Sequence, residues 1–254
     1  MTLVYLINEL TAPAEYPDIE KYRIFGNVIN VTGNVTIQGI GNIINGMNSE
    51  ITFISQDSNF TVTIRNTHFK NVKFILSSAM TLEFQNCTFT SCVFAGVNTA
   101  VFYFDNCTID ICRSEGTDGG IVISDSICTN SMFTVTVNVY ATNRISTITA
   151  CTFTVIYAEG TAENRAFMTD VQGDILNVEG YAVITNAIFR VCNVTSTQNS
   201  INNLILNGSD VLLSFSSADN SIASAVAIRN ESGTNNSALM QFNSSTDIAI
   251  TGIT

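Results

Sequence analysis

The sequence has no tryptophan, one histidine and two prolines in 254 residues, and only 12% of it is charged. A histidine-based metal site or a Ser-His-Asp triad would have to be built on His68 alone. Disordered chains are polar and charge-rich; this chain is 46% hydrophobic, so a packed core is expected. Basic residues are scarce too, 10 against 21 acidic ones, for a net charge of -11. Neither a nucleic-acid footprint nor a patch for an anionic membrane surface follows from that balance. No run approaches the ~18 apolar residues of a membrane span, so no membrane insertion is expected. The apolar start at Thr2–Ile7 has no basic residue before it and stops at Asn8 and Glu9, unlike a signal peptide. Two settings fit that start: a protein kept inside a cell or virion, or a piece of a longer secreted one. The far end, Ile248-Ala-Ile-Thr-Gly-Ile-Thr254, reads as strand sequence without the polar terminal unit of a repeat array. The second setting is therefore preferred, with a truncated C-terminus.

What the chain has is a repeat. Ile64-Arg-Asn-Thr-His-Phe69 aligns with Phe84-Gln-Asn-Cys-Thr-Phe89 and Phe104-Asp-Asn-Cys-Thr-Ile109. The asparagines Asn66, Asn86 and Asn106 recur at a step of 20, which continues to Ser126 in Ser124-Asp-Ser-Ile-Cys-Thr129. Weaker copies follow at Ile148–Phe153, Ile184–Phe189, Leu204–Asn207 and Val226–Asn230, with a degenerate turn expected between Ala150 and Asn186. Within each unit, apolar and polar residues alternate with period 2, the strand signature, and Asn, Ser, Thr and Gly separate the runs. A helical turn is expected only at Ala14–Tyr22.

A step of 20 residues is too short for βαβ units or propeller blades, and the fixed leucine pattern of leucine-rich repeats is missing. The expected fold is all-β: one right-handed parallel β-helix, a β-solenoid of roughly ten coils of about 20–24 residues. Residues 24–254 would form it, behind an N-terminal cap or lead-in over 1–23. Coils stacked about 4.8 Å apart put equivalent residues in columns: Phe69, Phe89 and Ile109 inside, and Asn66, Asn86 and Asn106 where the chain bends. Asparagine tolerates the left-handed backbone of a bend, and its amide can bond the next coil.

The stretch Val35-Thr-Ile-Gln-Gly-Ile-Gly-Asn-Ile-Ile-Asn-Gly46 and the Asn-Cys-Thr-Phe units resemble the right-handed parallel β-helix, or pectin-lyase-like, superfamily. The resemblance covers about residues 24 to 254. It implies the fold, and is compatible with pectate lyases, polygalacturonases, phage tailspikes and bacterial surface passengers alike. Asp118-Gly-Gly-Ile-Val122 is similar to the Gly-Gly-Ala-Ile repeats of polymorphic outer-membrane proteins. The Asn-Thr-Asp, Asp-Asp, Gly-His-Gly and Arg-Ile-Lys signatures of polygalacturonases do not occur.

The sharpest chemical candidate is an outward column Arg65, Gln85, Asp105, Asp125. It would bring Asp105 and Asp125 about 5 Å apart, a spacing that suits a calcium ligand pair or the two carboxylates of a retaining glycosidase. The alternative, preferred here, is that both are ordinary solvated side chains; no catalytic residue, metal or cofactor is expected. The seven cysteines are odd in number. Cys87 and Cys107, and Cys92 and Cys112, lie one coil apart and within disulfide reach, but a ladder of buried thiols accounts for them equally and is preferred. Ten Asn-x-Ser/Thr sequons, at Asn30, Asn34, Asn59, Asn86, Asn106, Asn193, Asn207, Asn230, Asn235 and Asn243, would be glycosylation sites in a eukaryotic secretory setting.

The functional expectation is a non-catalytic structural or adhesive solenoid, a segment of a surface, fibre or extracellular protein at a cell or virion surface. Its partners would be a protein or glycan along the outer face, or further copies of itself, with no nucleic acid. A polysaccharide-acting or tailspike-like protein with an acidic outer groove, and a self-assembling module, are the alternatives.

Overall fold

The computed structural model describes residues 15–16, 27–56, 60–97, 99–116, 119–195, 199–208, 210–216, 222–224, 227–230, 237–243 and 249–251. Among the described residues every regular element is a strand. They run β1 (Glu15–Tyr16), β2 (Asn27–Val31), β3 (Val35–Ser55), β4 (Thr61–Leu76), β5 (Thr81–Gln85), β6 (Thr88–Thr90), β7 (Val93–Gly96), β8 (Val101–Asp105), β9 (Thr108–Asp110), β10 (Arg113–Glu115), β11 (Gly120–Ser124), β12 (Ile127–Thr129) and β13 (Met132–Ala141). There follow β14 (Ser146–Thr149), β15 (Thr152–Gly160), β16 (Ala166–Val178), β17 (Ala182–Val194), β18 (Ser200–Gly208), β19 (Asp210–Ser216), β20 (Ile222–Ser224), β21 (Ala227–Asn230), β22 (Ser237–Asn243) and β23 (Ala249–Thr251). Contacts divide the chain into two compact units, Met1–Val135 and Thr136–Thr254. Within each, strands pair in parallel with the corresponding strand of the next rung, the pattern of a β-solenoid. Glu15 and Tyr16, in the segment expected to make a helical turn, instead pair with Thr36 and Ile37 as a short strand.

In the first unit a rung has three strand segments. β5, β6 and β7 form one such rung and β8, β9 and β10 the next. Thr61 pairs with Thr81 and Thr81 with Val101, a step of 20; Val101's position then pairs with Gly120, a step of 19. Alternation decides which side chains go in: Leu82 and Phe84 of β5 are buried while Thr81, Glu83 and Gln85 face out. The parallel register then stacks like on like. Phe69 lies over Phe89 with ring centroids 5.4 Å apart and planes 15° from parallel, and Phe84 over Phe104 with the same values. Phe74 lies over Phe94 at 5.7 Å. The three stacks meet edge to face, Phe84 against Phe89 at 4.7 Å and Phe94 against Phe104 at 4.9 Å, a favourable arrangement of ring quadrupoles. Phe89 in turn pairs with Ile109, which is fully buried.

The segments join at sharp corners made by one left-handed residue each. The first corner is Asn66, Asn86, Asn106 and Asp125, with φ between 50° and 54°. The second is Asn71, Ser91, Ile111 and Asn130, with φ between 50° and 56°. Asparagine and aspartate enter this region at low cost because their short polar side chains bond locally.

The second unit repeats the scheme with uneven rungs. Ser146 pairs with Ala166 across 20 residues, Ala166 with Ala182 across 16, and Val183 with Ser200 across 17. Its first corner is Ala150, Asp170, Asn186 and Asn203, with φ of 53° to 55°. The degenerate turn expected between Ala150 and Asn186 is β16. There Asp170 stands in the asparagine position, and Gly173 falls between Phe153 and Phe189. A Cβ on Gly173 would lie 2.2 Å from the Phe153 carbonyl oxygen and 2.9 Å from the Phe189 ring, so only glycine fits between the Phe153 backbone and that ring.

Candidate functional site

The corners organise the chemistry of both units. The left-handed residue of a corner points outward, except Asp125, which is buried, and the residue after it turns inward. In the first unit the N–H of four of these inward residues meets a side chain of the next rung, where elsewhere in the ladder it would meet a carbonyl. The Cys87 N–H donates to Cys107 Sγ at 3.4 Å, and the Cys107 N–H to Ser126 Oγ at 2.8 Å. At the second corner the Cys92 N–H donates to Cys112 Sγ at 3.4 Å, and the Cys112 N–H to Ser131 Oγ at 3.0 Å. The thiols also donate, Cys107 to the carbonyls of Phe84 and Asp105 and Cys92 to those of Phe69 and Thr90. A buried N–H without a partner costs about 1–3 kcal/mol, and a small Cys or Ser at this position supplies the acceptor. None of the seven cysteines is in a disulfide, and all are buried. The candidate bridges Cys87–Cys107 and Cys92–Cys112 are not formed; their sulfurs are held in the corner hydrogen bonds. Burial, reinforced by the contact with Cys87, pushes the Cys107 thiol well up, and burial alone carries Cys192 to about 12. Both thiols are protonated at neutral pH.

Outward, Asn106 Nδ2 donates to Asn86 Oδ1, so two of the expected column residues are rungs of one amide ladder. The fourth rung corrects the sequence reading. Because the step shortens to 19, β11 pairs Asp105 with Ser124, and Asp125 moves into the left-handed corner that Asn66, Asn86 and Asn106 occupy. Asp125 is there only 7% exposed, and Ser126 falls in line with Cys87 and Cys107. Asp105 and Asp125 therefore do not form the outward pair considered for calcium binding or glycoside hydrolysis, and Asp125 is not the solvated side chain expected instead. Among the described residues no group of three or more His, Cys, Asp or Glu is placed to hold a metal ion.

The outer face of the first unit is tied rung to rung. Thr63 Oγ1 donates to Glu83 Oε2 at 2.9 Å, Gln85 Nε2 to Glu83 Oε1 at 2.7 Å, and Arg65 Nε to Gln85 Oε1 at 2.8 Å. Lys73 Nζ lies 3.0 Å from both Glu50 and Glu115, and Arg113 closes on Glu115 at 2.9 Å. Hydrogen bonds from Lys73 and Arg113 hold Glu115 below the usual carboxylate range, and Glu115 and Glu50 raise Lys73. Asn130 and Thr129 lower Asp110 in the same way.

Of the sequon asparagines, Asn30, Asn34, Asn86 and Asn207 are exposed. Asn34 Oδ1 accepts the Thr61 N–H at 2.8 Å, and Asn193 Nδ2 donates to Asn177 Oδ1 at 2.9 Å. Asn230 and Asn243 end β21 and β22, while Asn59 and Asn235 lie outside the described residues.

One depression that sequence reasoning missed lies in the second unit. It measures about 250 Å³ and follows the outer side of the corner ladder. Asn186 Nδ2 donates to Asp170 Oδ1 at 2.9 Å, and Asn203 Nδ2 to Asn186 Oδ1 at 2.8 Å. Two residues on, Gln172 pairs with Ile188 and Ile188 with Ile205, forming the opposite wall. The intervening Val171, Ala187 and Leu204 point inward and are buried. The concavity is thus the corner itself, repeated over three rungs. Its signal was hidden because these rungs are 16 and 17 residues long, off the step of 20.

No family model matches the chain, and no curated protein matches it. Among solved structures, a similar one is the crystal structure of tailspike protein 3 (TSP3, orf212) of bacteriophage CBA120, at 12% identity and a TM-score of 0.37. The match covers 93% of this chain and 57% of that one, so the chain spans little more than half the tailspike's length. A likeness of that degree carries no argument, and the fold described above rests on the strand register of the chain itself.

Proposed function

We propose that this chain is a non-catalytic structural and adhesive β-solenoid of a surface or fibre protein, displayed at the surface of a cell or virion. Its coils would be of the right-handed, pectin-lyase-like kind. The observation that carries the reading is that outward polar side chains bond from rung to rung. The Thr63–Glu83–Gln85–Arg65 network and the Lys73–Glu50–Glu115 ties stiffen an extended face. Such a face suits repeated contact with a polymer better than enclosure of a small molecule, which calls for a deep concave pocket.

The test is retention of the full chain on immobilised polysaccharides, with reducing ends measured in the same wells. Saturable retention without new reducing ends is the expected result. Release of reducing ends that Asp105→Asn abolishes would replace this reading with a polysaccharide-cleaving one.

A further inference from the structure

The corner groove of the second unit carries a more specific assignment, which rests on the adhesive reading. We infer that the channel between the Asp170–Asn186–Asn203 ladder and the Gln172–Ile188–Ile205 column is a binding subsite for an uncharged, hydroxyl-bearing chain, a neutral oligosaccharide.

The argument starts from hydrogen-bonding capacity. A carboxamide has two N–H donors and a carbonyl with two lone pairs. Within the ladder Asn186 uses one N–H on Asp170 and one lone pair on the Asn203 N–H. One donor and one acceptor remain for a ligand at that rung. Gln172 uses one N–H on Thr152 Oγ1 at 3.0 Å, which fixes its amide at the mouth of the groove. Polar side-chain groups therefore recur along the ladder at the rung spacing of about 4.8 Å. A hydroxyl both donates and accepts, so a chain of hydroxyls matches this row.

Charge narrows the class. Among the described residues no lysine or arginine lines the groove, and Asp170 places a carboxylate at one end. An anionic polymer or a phosphate would meet that carboxylate with no cation to offset it. The opposite wall is apolar at its centre: Ile188 is 39% exposed, on the outward side of β17. Ile188 and Ile205 together give a surface on which the C–H face of a sugar ring can lie while its hydroxyls reach the amides. The volume of about 250 Å³ is below the ~300–1,000 Å³ of drug-sized pockets, and fits one or two rings of a longer chain that continues along the outer face.

The experiment measures binding of the full chain to maltohexaose, cellohexaose and mannohexaose, with hexagalacturonate as the acidic counterpart, by titration calorimetry. Ile188→Glu fills the groove centre with a charge at an exposed site, and Gln172→Ala removes one amide. The melting temperature of each variant is read alongside. The expected result is saturable binding of at least one neutral hexasaccharide, no binding of hexagalacturonate, and at least a tenfold loss in Ile188→Glu with its melting temperature unchanged. Should Ile188→Glu be destabilised, Gln172→Ala decides, with a loss of at least threefold expected. Equal binding by wild type and both variants would overturn the subsite and leave the adhesive reading standing. Preference for hexagalacturonate would overturn the ligand class. Failure of the wild type to bind any hexasaccharide, with retention on a protein-coated surface instead, would overturn this subsite in favour of a protein partner. Failure on every surface would remove the adhesive reading with it.

Discussion

At the scale of single residues, the corners explain choices that hydropathy alone does not. The second corner of the first unit contains Asn71, Ser91 and Asn130, and one residue that breaks the rule, Ile111, at φ 54° and 56% exposed. A β-branched side chain in the left-handed region is a steric outlier costing about 1–2 kcal/mol. Ile111→Asn should therefore raise stability by about 1 kcal/mol, read as a shift of the denaturant midpoint; a loss of stability would show that Ile111 is held by packing instead. The inward neighbours make a second case. Cys107→Ser keeps an acceptor for the Cys87 N–H and should be nearly neutral. Cys107→Ala leaves that buried N–H unpaired and should cost about 1–3 kcal/mol in the same measurement. Cysteine at these sites thus reads as a hydrogen-bonding residue, a role its spacing in the sequence hinted at only through its recurrence beside asparagine.

At the scale of strands and rungs, the phenylalanine stacks carry the first unit. Phe89 touches Phe69, Phe74, Phe84, Phe94 and Phe104. Phe89→Ala should cost on the order of 3–5 kcal/mol, measured by chemical denaturation. These stacks and the asparagine corners were legible in the sequence because three successive rungs keep one length, so equivalent residues recur at one interval. Legibility failed where the length changed. Aligning Ser126 with Asn106 held the step at 20, yet the alternation of Ile121 and Ile123 against Phe102 and Phe104 already favours 19, and the buried face sets strand register. The corner groove was lost for the same reason, since Asp170 and Asn203 fall on no fixed interval from Asn106. Rung-to-rung charges add a pH dependence. Glu115 and Asp110 titrate below their ordinary values in the fold. Their contribution is complete above the unfolded carboxylate range, near about 4, and is lost as pH falls through the lowered folded values. Lys73 is raised, so its contribution is complete below its unfolded value and lost as pH climbs through the folded one. Melting curves should show a drop on the acid side that Glu115→Gln reduces; an unchanged acid limb in that variant would assign it elsewhere. The drop is small, because exposed ion pairs are individually weak.

At the scale of the whole molecule, stability is distributed over neighbouring rungs, as in other repeat architectures. Because all seven cysteines are buried, a thiol reagent should label the native chain slowly and label it fully in denaturant; fast labelling of all seven without denaturant would show that the rungs open freely. The equal step from Thr61 to Thr81 to Val101 has a further consequence, for heredity. An in-frame excision of the 20 residues Thr81–Ala100 would place Val101 after Met80, where Thr81 stood, and every corner, stack and outward column after it would meet an equivalent neighbour. Loss of a single codon inside a strand such as Thr81–Gln85 would instead turn the rest of that strand's side chains inside out. The gene is therefore expected to tolerate the loss or gain of one rung, or of a few residues where two strands join, as the steps of 19, 16 and 17 already show, and to resist single losses inside a strand.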